Sequence, residues 1–140
     1  DSNILPDNIS ASNMSERDPS MAHDDISSYL PLTETTYYIL LALAEPLHGY
    51  AVMQRCTELS EGMVSVGAGT LYNALAKLQK EALIVKVQQD DRRKYYHLTD
   101  KGRRVLERQV ARLEVMARSA RRTLTGIEEV GFQVNLAVGD

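Results

Sequence analysis

Apolar residues recur along this chain first with the spacing of helices, then of strands, then of a helix again. Thr33 is able to cap a helix, and Tyr37, Leu40, Leu41 and Ala44 follow at the i, i+3, i+4 and i+7 positions of one face. Glu45-Pro46 ends that run: Pro46 disfavours helical geometry at Glu45 and has no N–H to donate, so the chain is predicted to turn through Leu47 and His48. A second helix is predicted from Gly49 to Leu59, with Val52, Cys56 and Leu59 on its stripe and Met53 at the edge. Gly62, Gly67 and Gly69 interrupt the next stretch. Leu71, Leu75, Leu78 and Ala82 then repeat at four, three and four residues, predicting a third helix over about Ala68 to Lys80.

The period then changes. Ile84 to Gln89 and Lys94 to Leu98 are rich in Val, Ile and Tyr and read as two strands, joined by a hairpin loop at Asp90-Asp91-Arg92-Arg93. Thr99 is placed to cap a fourth helix, whose Leu106, Val110, Leu113, Ala117, Ala120 and Leu124 step alternately by four and three, a heptad seam. Such a seam faces another helix. Three short helices and a hairpin offer little surface to cover about 25 residues, nearly 38 Å at ~1.5 Å per residue, so a partner subunit is predicted. Past residue 125, Val130, Phe132, Val134, Leu136 and Val138 alternate with smaller or polar residues in a strand-like period of two.

Composition sets the class. With 140 residues, 44% hydrophobic and 25% charged, the chain matches an ordinary globular domain with one core. Cys56 is the single cysteine, which excludes an intrachain disulfide and favours a reducing compartment. No apolar run reaches the ~18 residues of a membrane span, so a cytoplasmic protein without membrane association is expected. The divided reading is a flexible acidic extension over 1–31, a folded head over 32–99, a helix over 100–125 and a tail of unassigned role over 126–140. Met21, just ahead of the patterned region, reads as a candidate translation start.

The net charge of −3 argues against a nucleic-acid partner only until it is divided along the chain. Residues 1–31 carry −5, residues 32–125 carry +5 and residues 126–140 carry −3. The patterned middle is basic between two acidic ends, and local charge, not the average, governs phosphate binding.

Three short helices, a hairpin and a long helix make a mainly α chain with a small β-hairpin, in the order of a winged helix-turn-helix with an appended dimerisation helix. The third helix would enter the major groove, since its Leu stripe holds it to the first two while the opposite face stays free. That face carries Thr70, Asn73 and Lys77, with Tyr72 at its border. Asn pairs bidentately with adenine, Thr contacts a base or a phosphate, and Lys suits phosphate or guanine. Ser65 in the preceding loop, and Arg92, Arg93 and Lys94 on the hairpin, complete the predicted DNA-contact set. Asp90 and Asp91 beside them dilute the hairpin's charge.

Other chemistries find less support. Gly67-Ala68-Gly69-Thr70 lacks the Gly-Lys-Ser/Thr ending of a P-loop and the third glycine of a dinucleotide fingerprint. It reads as a flexible lead whose helix-start N–H groups face a phosphate. His23, His48 and His97 fall in three different segments, so no metal site and no cofactor are predicted, and Cys56 reads as a core residue. Ser65, His97 and Asp100 have no spacing that marks a catalytic triad, so the chain is not expected to be an enzyme.

Leu47-His48-Gly49-Tyr50, Gly69-Thr70-Leu71-Tyr72 with Leu75 and Leu78, and Arg93-Lys94-Tyr95-Tyr96-His97-Leu98-Thr99 followed by Gly102 resemble the PadR family of bacterial transcriptional regulators. The likeness spans about Leu32 to Leu124 and is closest to the compact PadR-like subgroup, in which one helix follows the wing. It departs at the wing tip, where Asp90 and Asp91 stand in place of the family's common Gly-Arg-Pro. The resemblance implies a winged-helix homodimer, usually a repressor, with dimer contacts along Leu106, Val110, Leu113, Ala117, Ala120 and Leu124. It also implies an effector pocket between the first and last helices of the two subunits, where Tyr37 and Tyr38 would stack on a planar small molecule. The expected partner is double-stranded DNA carrying a pseudo-palindromic operator, with two third helices ~34 Å apart. The rival reading is a winged-helix protein-interaction module without DNA binding, its basic face docked on an acidic partner.

Overall fold

The structure is a computed structural model that describes residues 26–88 and 92–139. Helix α1 spans Glu34–Ala42 and begins as expected at Thr33, whose hydroxyl accepts the Thr36 N–H at 3.1 Å. Its buried residues are Ile39, Leu40 and Ala42, followed by Leu43 at the C-cap, whereas Tyr37 and Leu41 are half-buried and Ala44 is exposed. The predicted single stripe was too narrow because α1 is packed from two sides, by α2 (Gly49–Leu59) and by the last helix, α4 (Asp100–Gly139). In α2 the expected Val52 and Cys56 are fully buried.

The segment before α1 is not idle. Ile26 joins the core, and turn bonds from Tyr29 N–H to Ile26 O and from Leu30 N–H to Ser27 O fold the strap back on itself. Lys101 of α4 donates to the Tyr29 hydroxyl at 2.8 Å and lies 4.8 Å from its ring centre, and Leu32 N–H reaches buried Gln109 Oε1 at 2.8 Å. The boundary drawn at residue 31 therefore falls too late; at least residues 26–31 belong to the folded unit. Its hydrophobic signal, Ile26 with Tyr29 and Leu30, was too short to show a period. The rest of the predicted mobile extension lies outside the described residues.

Helix α3 covers Ala68–Lys80 and buries Leu71, Leu75 and Leu78. Ala82, counted into that stripe from sequence, lies beyond the helix end, exposed and at φ 62°. There Ala82 N–H bonds Gln79 O and Leu83 N–H bonds Leu78 O, the paired pattern that closes a helix through a left-handed residue.

Three antiparallel strands follow the order β1-β3-β2, with β1 at Leu47–His48, β2 at Ile84–Gln88 and β3 at Lys94–Leu98. The expected hairpin pairs Ile84 with Leu98 through Gln88 with Lys94. The turn expected at Leu47-His48 is instead a short strand, Leu47 opposite Tyr96 and His48 opposite Tyr95. Two residues are too few to show a period of two in sequence; the open edge of β3 recruits them.

One junction fixes the wing to the helices. Thr99 N–H bonds Leu83 O at 3.1 Å, its hydroxyl donates to Ala82 O at 2.7 Å and accepts the Gly102 N–H at 3.0 Å, capping α4 as expected. A Cβ at Gly102 would strike Leu83 O and sit 2.9 Å from Leu98 Cδ1, so only glycine lets α4 approach this closely.

Helix α4 is longer than predicted. It runs unbroken from Asp100 to Gly139, about 60 Å at ~1.5 Å per residue, so the tail read as strand-like over 130–138 is helical. Val130, Val134 and Val138 also step by four, and a helix already under way extends more readily than a new strand nucleates. No helix among the described residues is long and apolar enough to cross a membrane.

Candidate nucleic-acid interface

At about 100° per residue, the buried Leu71, Leu75 and Leu78 fix the orientation of α3. Asn73, Ala76 and Lys80 then face outward, Thr70 and Lys77 lie on one flank, and Tyr72 lies on the other. All seven predicted polar or basic residues on the helix, its lead-in and the wing whose burial bears on the prediction, Ser65, Thr70, Asn73, Lys77, Arg92, Arg93 and Lys94, are exposed, and Tyr72 is 52% exposed. Ser65 is held outward by alternation, since Val64 and Val66 on either side are buried. The start of α3 has no side-chain cap at Gly67 and no acidic residue in its first turn. Its first N–H groups sit among exposed Gly67, Ala68, Gly69 and Thr70, the arrangement that meets an anion.

The structure divides the predicted set in two. Tyr72 lines a cleft of about 460 Å³ together with Arg92, Arg93 and Lys94, bringing the third helix and the wing into one site. Lys77 lines a different recess, about 260 Å³, beside Tyr29 and Glu81 on the strap side of α3. Asp90 and Asp91 lie outside the described residues.

Tyr50, 63% exposed, lines the first cleft and was not singled out from sequence. The signal was present in Leu47-His48-Gly49-Tyr50, which carried the family likeness without an assigned chemistry. Gly49 has a specific part here: a Cβ on it would overlap the Tyr72 hydroxyl and come 2.8 Å from the Tyr72 Cζ. Tyr72 is thus seated against the first turn of α2. Behind it, Tyr96 is buried, and that burial, with the neighbouring Tyr72 phenol, pushes its hydroxyl pKa up and keeps it protonated. His48 stacks edge-on against its strand partner Tyr95, 5.7 Å between ring centres, bracing the base of the wing.

Along α4 the seam changes character. Leu106 is buried within the chain, but Val110, Leu113, Ala117, Ala120 and Leu124 are exposed, as are Met116 and Ile127 near the same line. Tyr37 and Tyr38 meet edge to face at 5.0 Å, and burial followed by the Tyr38 neighbour raises the Tyr37 pKa. Neither tyrosine borders the cleft of about 580 Å³ where α1, β3 and α4 meet, which is lined by Leu41, His97, Leu106 and Val110 among others.

Comparison with known proteins agrees with this geometry. The family described as "Transcriptional regulator PadR-like family" matches residues 39–108, from the buried middle of α1 to the first turns of α4. Among solved structures, a PadR family transcriptional regulator from Eggerthella lenta is 31% identical, with TM-score 0.56 over 74% of this chain and 96% of that one. A PadR-like transcriptional regulator from Bacillus cereus is 27% identical, with TM-score 0.56 over 64% of this chain and 90% of that one. An uncharacterised 37.1 kDa protein in transposon Tn4556 of Streptomyces fradiae is 35% identical over 105 residues, 73% of this chain, which spans 29% of that relative's length. With the helix and wing in place and the family match running across both and into the start of the appended helix, the chain belongs to the PadR-like family of transcriptional regulators.

Proposed function

We propose that this chain is a homodimeric, sequence-specific DNA-binding regulator, a repressor, that acts on a pseudo-palindromic operator in the cytoplasm. The observation that carries the reading is the shared cleft in which Tyr72 of α3 meets Arg92, Arg93 and Lys94 of the wing. A helix face bearing Asn73 and Thr70 enters the major groove, and the cationic wing lies on the adjoining backbone. The exposed α4 seam supports the dimer, since burying large apolar side chains against a second copy removes them from water at about 1.5–3 kcal/mol for each one fully covered.

Effector control belongs to the same proposal. A planar ligand stacked on Tyr37 or Tyr38 between first and last helices changes DNA affinity only if it binds the two dimer geometries unequally.

The test is selection from a random duplex pool. The chain is expected to retain one half-site motif repeated with two-fold symmetry, and to hold that duplex against a scrambled duplex and against heparin. Equal release by heparin and by the selected duplex would instead favour the protein-interaction module, whose basic face docks an acidic partner.

A further inference from the structure

We propose that the recess between the strap, the start of α1 and the last turns of α3 is a ligand site of its own, taking a free aliphatic α-amino acid whose ammonium and carboxylate are held at Glu81 and Lys77. The binding itself stands apart from the DNA reading above; its consequence for α3 rests on that reading.

Three observations carry it. The first is the arrangement of charge. Lys77 and Glu81 both line the recess, about one helical turn apart, and among the described residues neither side chain makes an ion pair. A lysine four residues ahead of a glutamate is the weaker order for a pair within one helix. Glu81 is also the C-cap of α3, at the carbonyl end, where a carboxylate is disfavoured and a cation gains. A ligand that brings an ammonium to Glu81 and a carboxylate to Lys77 satisfies both at once. The other two clefts lack this arrangement: no carboxylate lines the one at the wing among the described residues, and Arg103 in the one at the α1–α4 junction is already paired with Glu107 at 3.4 Å.

The second is the body of the recess. Buried Leu78 and Leu83, with half-buried Leu32 and Ala74, give it an apolar lining. An apolar lining with a few placed polar groups is what small-molecule sites share. Its volume of about 260 Å³ holds about nine non-hydrogen atoms at ~30 Å³ for each water-sized group, the size of leucine.

The third is that the walls are tied together without a ligand. Lys101 donates to the Tyr29 hydroxyl at 2.8 Å and to Glu81 O at 3.2 Å, joining the strap to the end of α3 through the start of α4. Thr33 and Thr36, bonded to each other in the cap of α1, line the recess as well. A site assembled in advance loses little freedom on binding. Tyr37 and Tyr38 do not line it, so it is distinct from the effector position proposed above. A ligand held between the strap and α3 acts on the helix that carries Asn73, and an unequal fit to the free and DNA-bound forms changes duplex affinity.

The experiment titrates the full chain, without DNA, by isothermal calorimetry with three probes: L-leucine, leucinamide, which lacks the carboxylate, and 4-methylpentanoate, which lacks the ammonium. L-leucine is expected to bind with a Kd of about 0.1–1 mM, in the range for a ligand of this size, and each half-ligand about tenfold more weakly or worse. Lys77→Met and Glu81→Gln, checked by circular dichroism for retained helix, should each weaken leucine by about tenfold, as for loss of a hydrogen bond to a charged group, while Lys77→Arg keeps most of the affinity. Fluorescence anisotropy with a duplex selected by the wild type should then show a change of about threefold or more in affinity at saturating leucine, lost in Glu81→Gln. No binding of leucine by the wild type, equal affinity for the three probes, or unchanged affinity in both variants would overturn the site. Leucine binding with unchanged duplex affinity would overturn its action on α3. Failure of the wild type to retain any duplex would overturn the DNA-binding reading, while the calorimetric titration still decides the site.

Discussion

Ala82 sits at φ 62°, a left-handed backbone that costs an L side chain about 1–2 kcal/mol and glycine almost nothing. Ala82→Gly is therefore expected to raise the unfolding free energy by about 1 kcal/mol, provided the turn stays as it is, read as a higher midpoint in urea at unchanged slope. Gly102→Ala should do the reverse: its Cβ meets the Leu83 carbonyl, and neither α4 nor the end of α3 moves cheaply, so a loss of about 1–3 kcal/mol is expected. Cys56 is fully buried, and that burial pushes its thiol from 9.0 up to about 11. The sign follows from the neutral form being favoured in the fold. Its contribution is fully present below pH 9 and is lost as pH rises from there through about 11. Alkylation by iodoacetamide at pH 8 should be far slower in the native protein than in urea, and equal rates would contradict the buried placement. Cys56 was legible in sequence because its spacing from Val52 and Leu59 is helical. Ala82 was not, since an apolar period carries no information about φ, and the constraint on Gly102 depends on a carbonyl nineteen positions earlier in the chain.

Among the elements, α4 carries the strongest expectation. Leu113, Met116, Leu124 and Ile127 continue an exposed apolar line on one helix from Val110, which borders the cleft beside Leu41 and His97. Leu113→Asp combined with Leu124→Asp should convert a dimer to a monomer in sedimentation equilibrium while the winged head keeps its cooperative unfolding. A double variant that stays dimeric would remove the seam as the interface. The order of elements was readable in advance because α2, α3 and the hairpin each satisfy one clear period, α2 stopping just before Gly62 and the hairpin at the capping Thr99. The misses share a cause, which is that tertiary partners supplied what the local pattern lacked. Strand β1 forms on the edge of β3, Lys101 holds the strap at Tyr29 and Gln109 holds its exit at Leu32, and α1 is buried on two sides. The alternation over 130–138 fits a strand and, through Val130, Val134 and Val138, a helix equally; the helix already running from Asp100 decides between them.

At the scale of the whole molecule, an acidic chain carries exposed basic residues on α3 and the wing. The residue types facing outward on α3 and the wing were legible from sequence, but their grouping was not: Tyr50 and Tyr72 join the wing, while Lys77 turns toward the strap. Helix rotation alone separates the last two, and the contact of Gly49 with Tyr72 appears only when α2 and α3 are packed. The central claim, that two copies together offer this face to one duplex, has a direct electrostatic measure. Arg92, Arg93 and Lys94 from two subunits give about six phosphate contacts, for which log K should fall against log salt with a slope of about −5. The decisive measurement is the affinity for the selected duplex between about 50 and 200 mM salt. That steep slope is expected, halved in the Leu113→Asp, Leu124→Asp variant, and a flat response in the wild type would contradict two-copy binding to DNA.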